Sequence, residues 1–388
     1  MDKVKNLLKN NIRRYGMGIA LVFIMVLFQI LTDGILLKPL NVTNLILQNS
    51  YILILAVGML LVIITGNVDL SVGSVVAFVG AIAAKLMIEQ NMSVVPVILI
   101  SLLIGTLVGA WHGFWIAYVK IPAFIVTLSG QLLFRGLTLV ILKGQTLAPY
   151  DKSYQVLSSG FIKDIFGGGT FHITTLVIGL VFSLIYVLVE MNDRRSKLKY
   201  GFDVMPMKFL VAKLAIIVIA INLLTYSFAS YKGAPNVLVL LFFLVAIYSF
   251  IANKTVIGRY IYATGGNEKA ARLSGIKTDK VLFWVYVNMG LLTGLAGIVF
   301  SGRLNAAMPR AGTGFELDAI AACYIGGASA SGGIGTIIGA MIGGLVMGVL
   351  NNGMSILGIG IDWQQAIKGL VLLVAVAFDA YTKSKSQN

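Results

Sequence analysis

The chain has 388 residues, 58% of them hydrophobic and 12% charged, with a mean hydropathy of +0.92. Soluble domains carry about 25% charged residues, so the composition excludes a soluble enzyme and defines an all-α polytopic membrane protein, with 1–388 forming a single transmembrane domain. One cysteine, Cys323, excludes a disulfide framework and a cysteine metal site. His112 and His172 stand far apart without metal-ligand spacing and read as polar residues at helix ends.

The chain starts with a basic stretch (Lys3, Lys5, Lys9, Arg13 and Arg14) followed by a long apolar run without a cleavage site. That pattern predicts an uncleaved first membrane helix. Crossing a bilayer as helix takes about 20 apolar residues. Such segments lie at 16–36, 45–65, 70–89, 94–119, 123–142, 172–191, 209–230, 235–252, 281–302 and 363–381. The glycine-dense region 317–354 reads as a short span near 317–329, a turn SASGG and a longer helix at 334–354. About twelve crossings follow, the short one a candidate for re-entrance.

Charge fixes the expected orientation, because cytoplasmic loops collect Lys and Arg. With the N-terminus inside, the inner segments are 1–15, 192–208, 253–280 and 379–388. They hold most of the net charge of +15. The outer loops 31–44, 86–93, 143–171, 231–234 and 303–318 are close to neutral. The excess is therefore a topology signal and not a nucleic-acid footprint, and both termini are expected in the cytoplasm.

Three membrane stretches break the apolar pattern. In TGNVDLSVGS (65–74), Asp69 reads first as the cap of a helix starting near Leu70. A cavity-facing role beside a translocation path is the alternative, since carboxylates at membrane depth usually face water or a partner. In NNGMS (351–355), Asn351 and Asn352 suit either a sugar-facing wall or bonding between helices. Gly335, Gly339 and Gly343 recur every four residues, a spacing that lets helix backbones approach closely. Packing inside the bundle is the expected use, with a dimer seam or pore lining as the other.

No Walker A loop is present. In SGIKT (274–278) an isoleucine separates Gly275 from Lys277, and GGGT (167–170) falls in an outer loop. Paired carboxylates, a Ser/His/Asp arrangement and a metal constellation are also missing. Intramembrane acids read as scarce, with Asp69 the main one and Glu190 and Asp362 at helix ends. That scarcity argues against an ion-driven carrier without removing it.

The inner loop 253–280 holds ATGGNEKAARLSGIKTDK (263–280). Asn267 is a good N-cap, and Gly265 and Gly266 free the chain to turn into it. Glu268 suits the first turn. Ala270, Ala271 and Leu273 favour helix, and Gly275 can take the left-handed conformation that ends it. A helix of about two turns is marginal alone, so it is expected to be held against its own bundle or a partner.

An alanine pair followed four residues later by glycine resembles the coupling-helix motif of ABC importer permeases. GRYIYATGGNEKAARLSGI (258–276) resembles that of the ribose, xylose and galactose permease family. AVGMLLVIITGNVDLSVGSVVAF (56–78), IPAFIVTLSGQLLFRGLTL (121–139) and LDAIAACYIGGASASGGIGTIIGAMIGGLVMGVLNNGM (317–354) resemble further segments of that family, in its order. The resemblance implies a transport subunit, not an enzyme, in a bacterial plasma membrane. Its implied partners are a second copy of the chain, a cytoplasmic ATPase that binds ATP and Mg, a periplasmic or lipid-anchored sugar-binding protein and a monosaccharide. No cofactor is implied in this chain. Asn267, Glu268, Ala270, Ala271 and Gly275 would form the coupling helix, and Asp69, Asn351 and Asn352 would lie near the path.

The sequence departs from the family pattern in two places. The wider importer motif sets its acid directly before the two alanines, whereas Lys269 intervenes here. Residues 192–234 read as an insertion relative to the ribose permease, which makes the layout closer to xylose or multiple-monosaccharide permeases. An ion-coupled secondary carrier, a membrane scaffold and an ABC permease for another small polar solute stay open as alternatives.

Overall fold

The computed structural model describes residues 2–387 apart from Gly168, Thr170 and Asp203, with side chains described over 16–377. The basic side chains of the first fifteen residues, those of the 379–388 tail and part of GGGT lie outside the described residues. The described chain is helical, with two isolated antiparallel bridges, Leu147 with Ala307 and Phe161 with Pro235.

In order, the helices are α1 (Asp2–Leu31), α2 (Pro39–Ile64), α3 (Val72–Ala84, continued as a π turn over Lys85–Glu89), α4 (Val94–Ala117) and α5 (Ala123–Leu142). They continue with α6 (Lys152–Ser159), α7 (Ile173–Lys199), α8 (Met207–Ala229), α9 (Asn236–Lys254), α10 (Val256–Gly266) and α11 (Glu268–Leu273). The last four are α12 (Thr278–Leu304), α13 (Phe315–Ile325), α14 (Ile337–Ile356) and α15 (Ile361–Gln387). Among the described residues, nine helices are long and apolar enough to cross a membrane.

The expected short span is α13, whose eleven residues make about 16 Å of helix, roughly half a hydrocarbon core. It is a half-length element, buried over most of its residues.

The core forms around α2, α12, α14 and α3, and α2 is buried along most of its length. The most extensive helix pair is α4 with α12, and glycine explains it. A Cβ on Gly109 would lie 2.3 Å from the Tyr286 carbonyl oxygen, and one on Gly290 would lie 2.2 Å from that of Gly105. Gly105, Gly109 and Gly113 are spaced four apart, the same pattern as the glycines of α14, and they let the two backbones touch.

The glycines of α14 serve the same end within the chain. Gly339 and Gly343 pack on the backbones of Gly326 and Ala322 at the end of α13. Gly335 lies before the helix, which starts at Ile337, and packs against Leu60. The expected helix at 334–354 therefore starts later because Thr336 is its cap, accepting from the Gly339 N–H at 3.0 Å. His172 is a helix-end residue as expected, capping α7 through Thr175. His112 is not: it lies inside α4, 1% exposed, with its Nε2 against Gly130.

Outside the core, α7 and α8 pack as a hairpin with most of α8 uncovered. Glu190 pairs with Lys213 at 2.7 Å, and Asn222 donates to Ser183 at 2.9 Å.

Candidate coupling loop and membrane-embedded polar cluster

The segment 253–280 folds as two helices. Thr255 caps α10, accepting from the Gly258 N–H at 3.2 Å. Asn267 then breaks the run with extended backbone, and its Oδ1 accepts from the Ala270 N–H at 3.0 Å to start α11. Gly275, at φ +85°, ends α11. Its N–H reaches the Arg272 carbonyl and the Ile276 N–H reaches that of Ala271, both at 3.0 Å. These two bonds make the paired closure of a left-handed C-terminal stop.

Gly265 and Gly266 do not form a free turn, because they are the last residues of α10. A Cβ on Gly265 would lie 1.6 Å from the carbonyl oxygen of Ile64, the last residue of α2. The same oxygen accepts from the Gly333 N–H at 2.8 Å, and Tyr262 donates its hydroxyl to the Gly335 carbonyl at 2.7 Å. Three elements thus meet backbone to backbone: the end of α10, the end of α2 and the turn between α13 and α14.

Glu268 is turned toward its own chain. Its Oε1 accepts from Arg272 at 3.0 Å and from the Thr278 hydroxyl at 3.1 Å. Arg272 also reaches Asp279 at 3.0 Å, and Lys120, in the α4–α5 link, pairs with Asp279. The acid displaced by one from the wider motif is therefore a brace between α11 and the start of α12. Ala271 is buried beneath it, Ala270 is exposed, and Leu273 is 91% exposed at the tip.

Deeper in the bundle, Asp69 sits in the link between α2 and α3. Helix α3 starts at Val72, later than expected, and Asp69 Oδ1 accepts from the Ser71 N–H and hydroxyl at 2.9 and 2.6 Å. Asp69 thus shapes the turn before the helix and does not occupy the cap position, which is Ser71. The Tyr286 hydroxyl holds Val68 O at 3.2 Å. Tyr286 lies eight residues into α12, about 12 Å along it, so this link is sunk into the bundle.

Asn351 and Asn352 part ways. Asn352 exchanges a reciprocal pair of bonds with Asn41 of α2, at 2.8 and 3.0 Å, so it joins helices. Asn351 faces Asp318 of α13, and its amide oxygen is buried without a hydrogen-bond partner. The structure does not bring Asp69, Asn351 and the coupling helix into one site.

Helix α13 adds two buried acids to Asp69. Glu316 and Asp318, expected in an outer loop, are 8% and 4% exposed in its first turn. Lys368 of α15 holds Asp318 at 3.0 and 3.2 Å. Gln131 of α5 donates to Glu316 Oε1 at 3.0 Å. Arg135, one turn further along α5, donates to the carbonyls of Pro309 and Ala311 at 3.1 and 2.5 Å, drawing the 305–314 link inward. Tyr51 stacks on Phe315 with ring centroids 4.1 Å apart, and Phe300 closes on both edge-on at 4.9 Å. Two acids in the first turn of an apolar segment suit the positive end of a helix. That pattern in FELDAIAACYI is the signal that places them in the helix and not in the loop.

This architecture has counterparts among known proteins. Residues 41–376 match the family described as branched-chain amino acid transport system / permease component, and the chain belongs to that family of transport permeases. It is 37% identical to the xylose transport system permease protein XylH of Haemophilus influenzae, over 99% of this chain and 100% of that protein. XylH of Escherichia coli K12 is 38% identical over 97% of this chain and 94% of its own length. The ribose import permease protein RbsC of Escherichia coli K12 is 35% identical over 87% and 85%. No solved structure matches the chain significantly.

Proposed function

We infer that the chain is the membrane permease subunit of an ABC importer of monosaccharides. The names of its xylose-permease relatives, and their coverage of nearly the whole chain, support a pentose as the cargo. In the same reading, 192–234 is an addition to the ribose-type layout.

The observation that carries the coupling role is α11. It is a separately capped helix with an exposed leucine at its tip, and it is backed by α10 against the inner ends of α2 and the α13–α14 turn. In this reading two copies of the chain carry two cytoplasmic ATPase subunits, which bind ATP and Mg. A binding protein delivers sugar at the outer face. Both termini lie in the cytoplasm and the chain crosses a bacterial inner membrane about twelve times, as the charge distribution supports. Asn267, Ala270, Ala271 and Gly275 shape the docking helix, Glu268 braces it, and Leu273 is the apolar contact offered to the ATPase.

The test is sugar-stimulated ATP hydrolysis by the reconstituted complex. Gly275→Pro places a fixed φ near −65° where +85° is needed and removes an N–H that bonds Arg272. It is expected to abolish stimulation. Glu268→Lys reverses the brace and is expected to reduce stimulation severalfold. Wild-type coupling and assembly in both variants would overturn the docking role.

A further inference from the structure

The link between α7 and α8 carries cations that the fold leaves without partners. Helix α7 closes on Gly201, at φ +72°, with the Gly201 N–H on the Leu198 carbonyl at 3.1 Å and the Phe202 N–H on that of Lys197 at 2.9 Å. Two basic residues before this stop are engaged. Lys197 pairs with Asp193 at 2.6 Å, and Arg194 donates to the Met205 carbonyl, which draws the end of α7 and the approach to α8 together. Arg195, Lys199 and Lys208 are exposed and, among the described residues, in no ion pair.

Their placement calls for an anion. The C-terminal end of α7 suits a cation such as Lys199, yet Arg195 stands four residues earlier on the same face, where like charges repel. Lys208 lies in the first turn of α8, whose positive end disfavours a cation. Among these charges Tyr200 and Phe202 are 70% and 65% exposed. A topology signal needs cations alone and gives no reason for uncovered rings between them. An anionic lipid accounts for both, because its phosphate meets the cations while aromatic rings settle at headgroup level. The 27 residues of α7 make about 40 Å of helix, about 10 Å more than a hydrocarbon core. The link therefore reaches headgroup height, and most of α8 has no protein neighbour to keep lipid away.

Resting on the inward placement of this link in the importer reading, we propose that it is a docking site for an anionic phospholipid of the cytoplasmic leaflet. Arg195, Lys199 and Lys208 meet the phosphate, and Tyr200 and Phe202 lie against the glycerol and upper acyl chain. The bound lipid fastens a hairpin that stands outside the protein core.

The test uses the full chain in phosphatidylcholine vesicles. Cys323, the single cysteine, is buried, so Ser196→Cys places one fluorophore at the link. Energy transfer from it to acyl-labelled phosphatidylglycerol is compared with transfer to equally labelled phosphatidylcholine, each a minor component. Gel filtration checks that every variant stays monodisperse.

The preference for phosphatidylglycerol is expected to fall about tenfold or more in the triple variant Arg195→Gln, Lys199→Gln, Lys208→Gln, since each cation near an anionic surface is worth roughly fivefold. Lys199→Gln alone, expected to lose about fivefold, serves if the triple variant aggregates. A matched variant, Lys254→Gln, Lys277→Gln, Lys280→Gln, removes the same charge from the next inner loop and should keep the preference within about twofold. Equal loss in the two triple variants would show a diffuse effect of net charge and overturn the site, as would wild-type preference in the first. Displacement of the lipid by inorganic phosphate, but not by sodium chloride at the same ionic strength, would show a free-anion site and overturn the lipid reading. In intact cells an impermeant maleimide should leave Ser196→Cys unlabelled. Labelling would overturn the inward placement and the leaflet with it, whereas loss of lipid preference in the wild type would overturn the site alone.

Discussion

The bundle centre and the α7–α8 hairpin are equally apolar in sequence and are built on opposite principles. At the centre, α2, α3, α4, α12, α13 and α14 are drawn together by close backbone contacts at glycine and enclose acids. The α7–α8 hairpin is two long helices joined by side-chain contacts, with most of α8 free of protein neighbours. Apolar burial has little driving force between helices in lipid. What separates a machine part from a peripheral pair is therefore close backbone approach and the pairing of buried charge. Matched substitutions in the two regions should reveal that difference, read as unfolding free energy of the purified protein in micelles.

The largest contrast is expected from glycine. In Gly290→Ala the new methyl meets the Gly105 carbonyl, a backbone atom that cannot rotate away. Loss of about 3 kcal/mol or a failure to fold is expected. In Gly179→Ala the methyl meets the Thr225 side chain, with its hydroxyl at 2.3 Å and its Cβ and Cγ2 at 2.8 Å; the lightly packed hairpin can part slightly to admit it, so about 1–2 kcal/mol is expected. Equal costs would mean that the α4–α12 crossing is not held by its backbones.

Charge comes next. Lys368→Met strands Asp318 in the core and should cost about 3 kcal/mol or more, recovered largely by adding Asp318→Asn. Lys213→Met leaves Glu190 partly exposed inside α7, which runs on to Lys199 and so does not end at Glu190 as expected, and should cost under about 1 kcal/mol. The smallest contrast concerns amides. Asn352→Ala removes the reciprocal pair with Asn41 and should cost about 1–2 kcal/mol, against about 0.6 for Asn222→Ala on α8.

The uniform parts of the fold were legible from apolar length alone, and α4, α5, α8 and α9 lie within two residues of their expected bounds. The caps of α11 were legible because Asn267 and Gly275 act locally. The centre was harder to read because its signals are non-local. Gly265 looked like a turn residue until Ile64, two hundred residues earlier, proved to need the space. Glu316 and Asp318 were assigned to the outer loop 303–318 because the short span was expected from 317, whereas α13 begins at Phe315, and their partners Gln131 and Lys368 lie on distant helices. Asn351 and Asn352 are neighbours in sequence, yet only contacts with Asp318 and Asn41 separate their roles.

The contact of Gly265 with Ile64 has a mechanical consequence. Side chains absorb small displacements by rotating, so a junction made of them is compliant. Here the junction is main chain on main chain, with the Gly333 amide on the same carbonyl. It works as a rigid bearing: no slack is taken up before α2 and the turn leading into α14 feel a push on α10, and they receive it together.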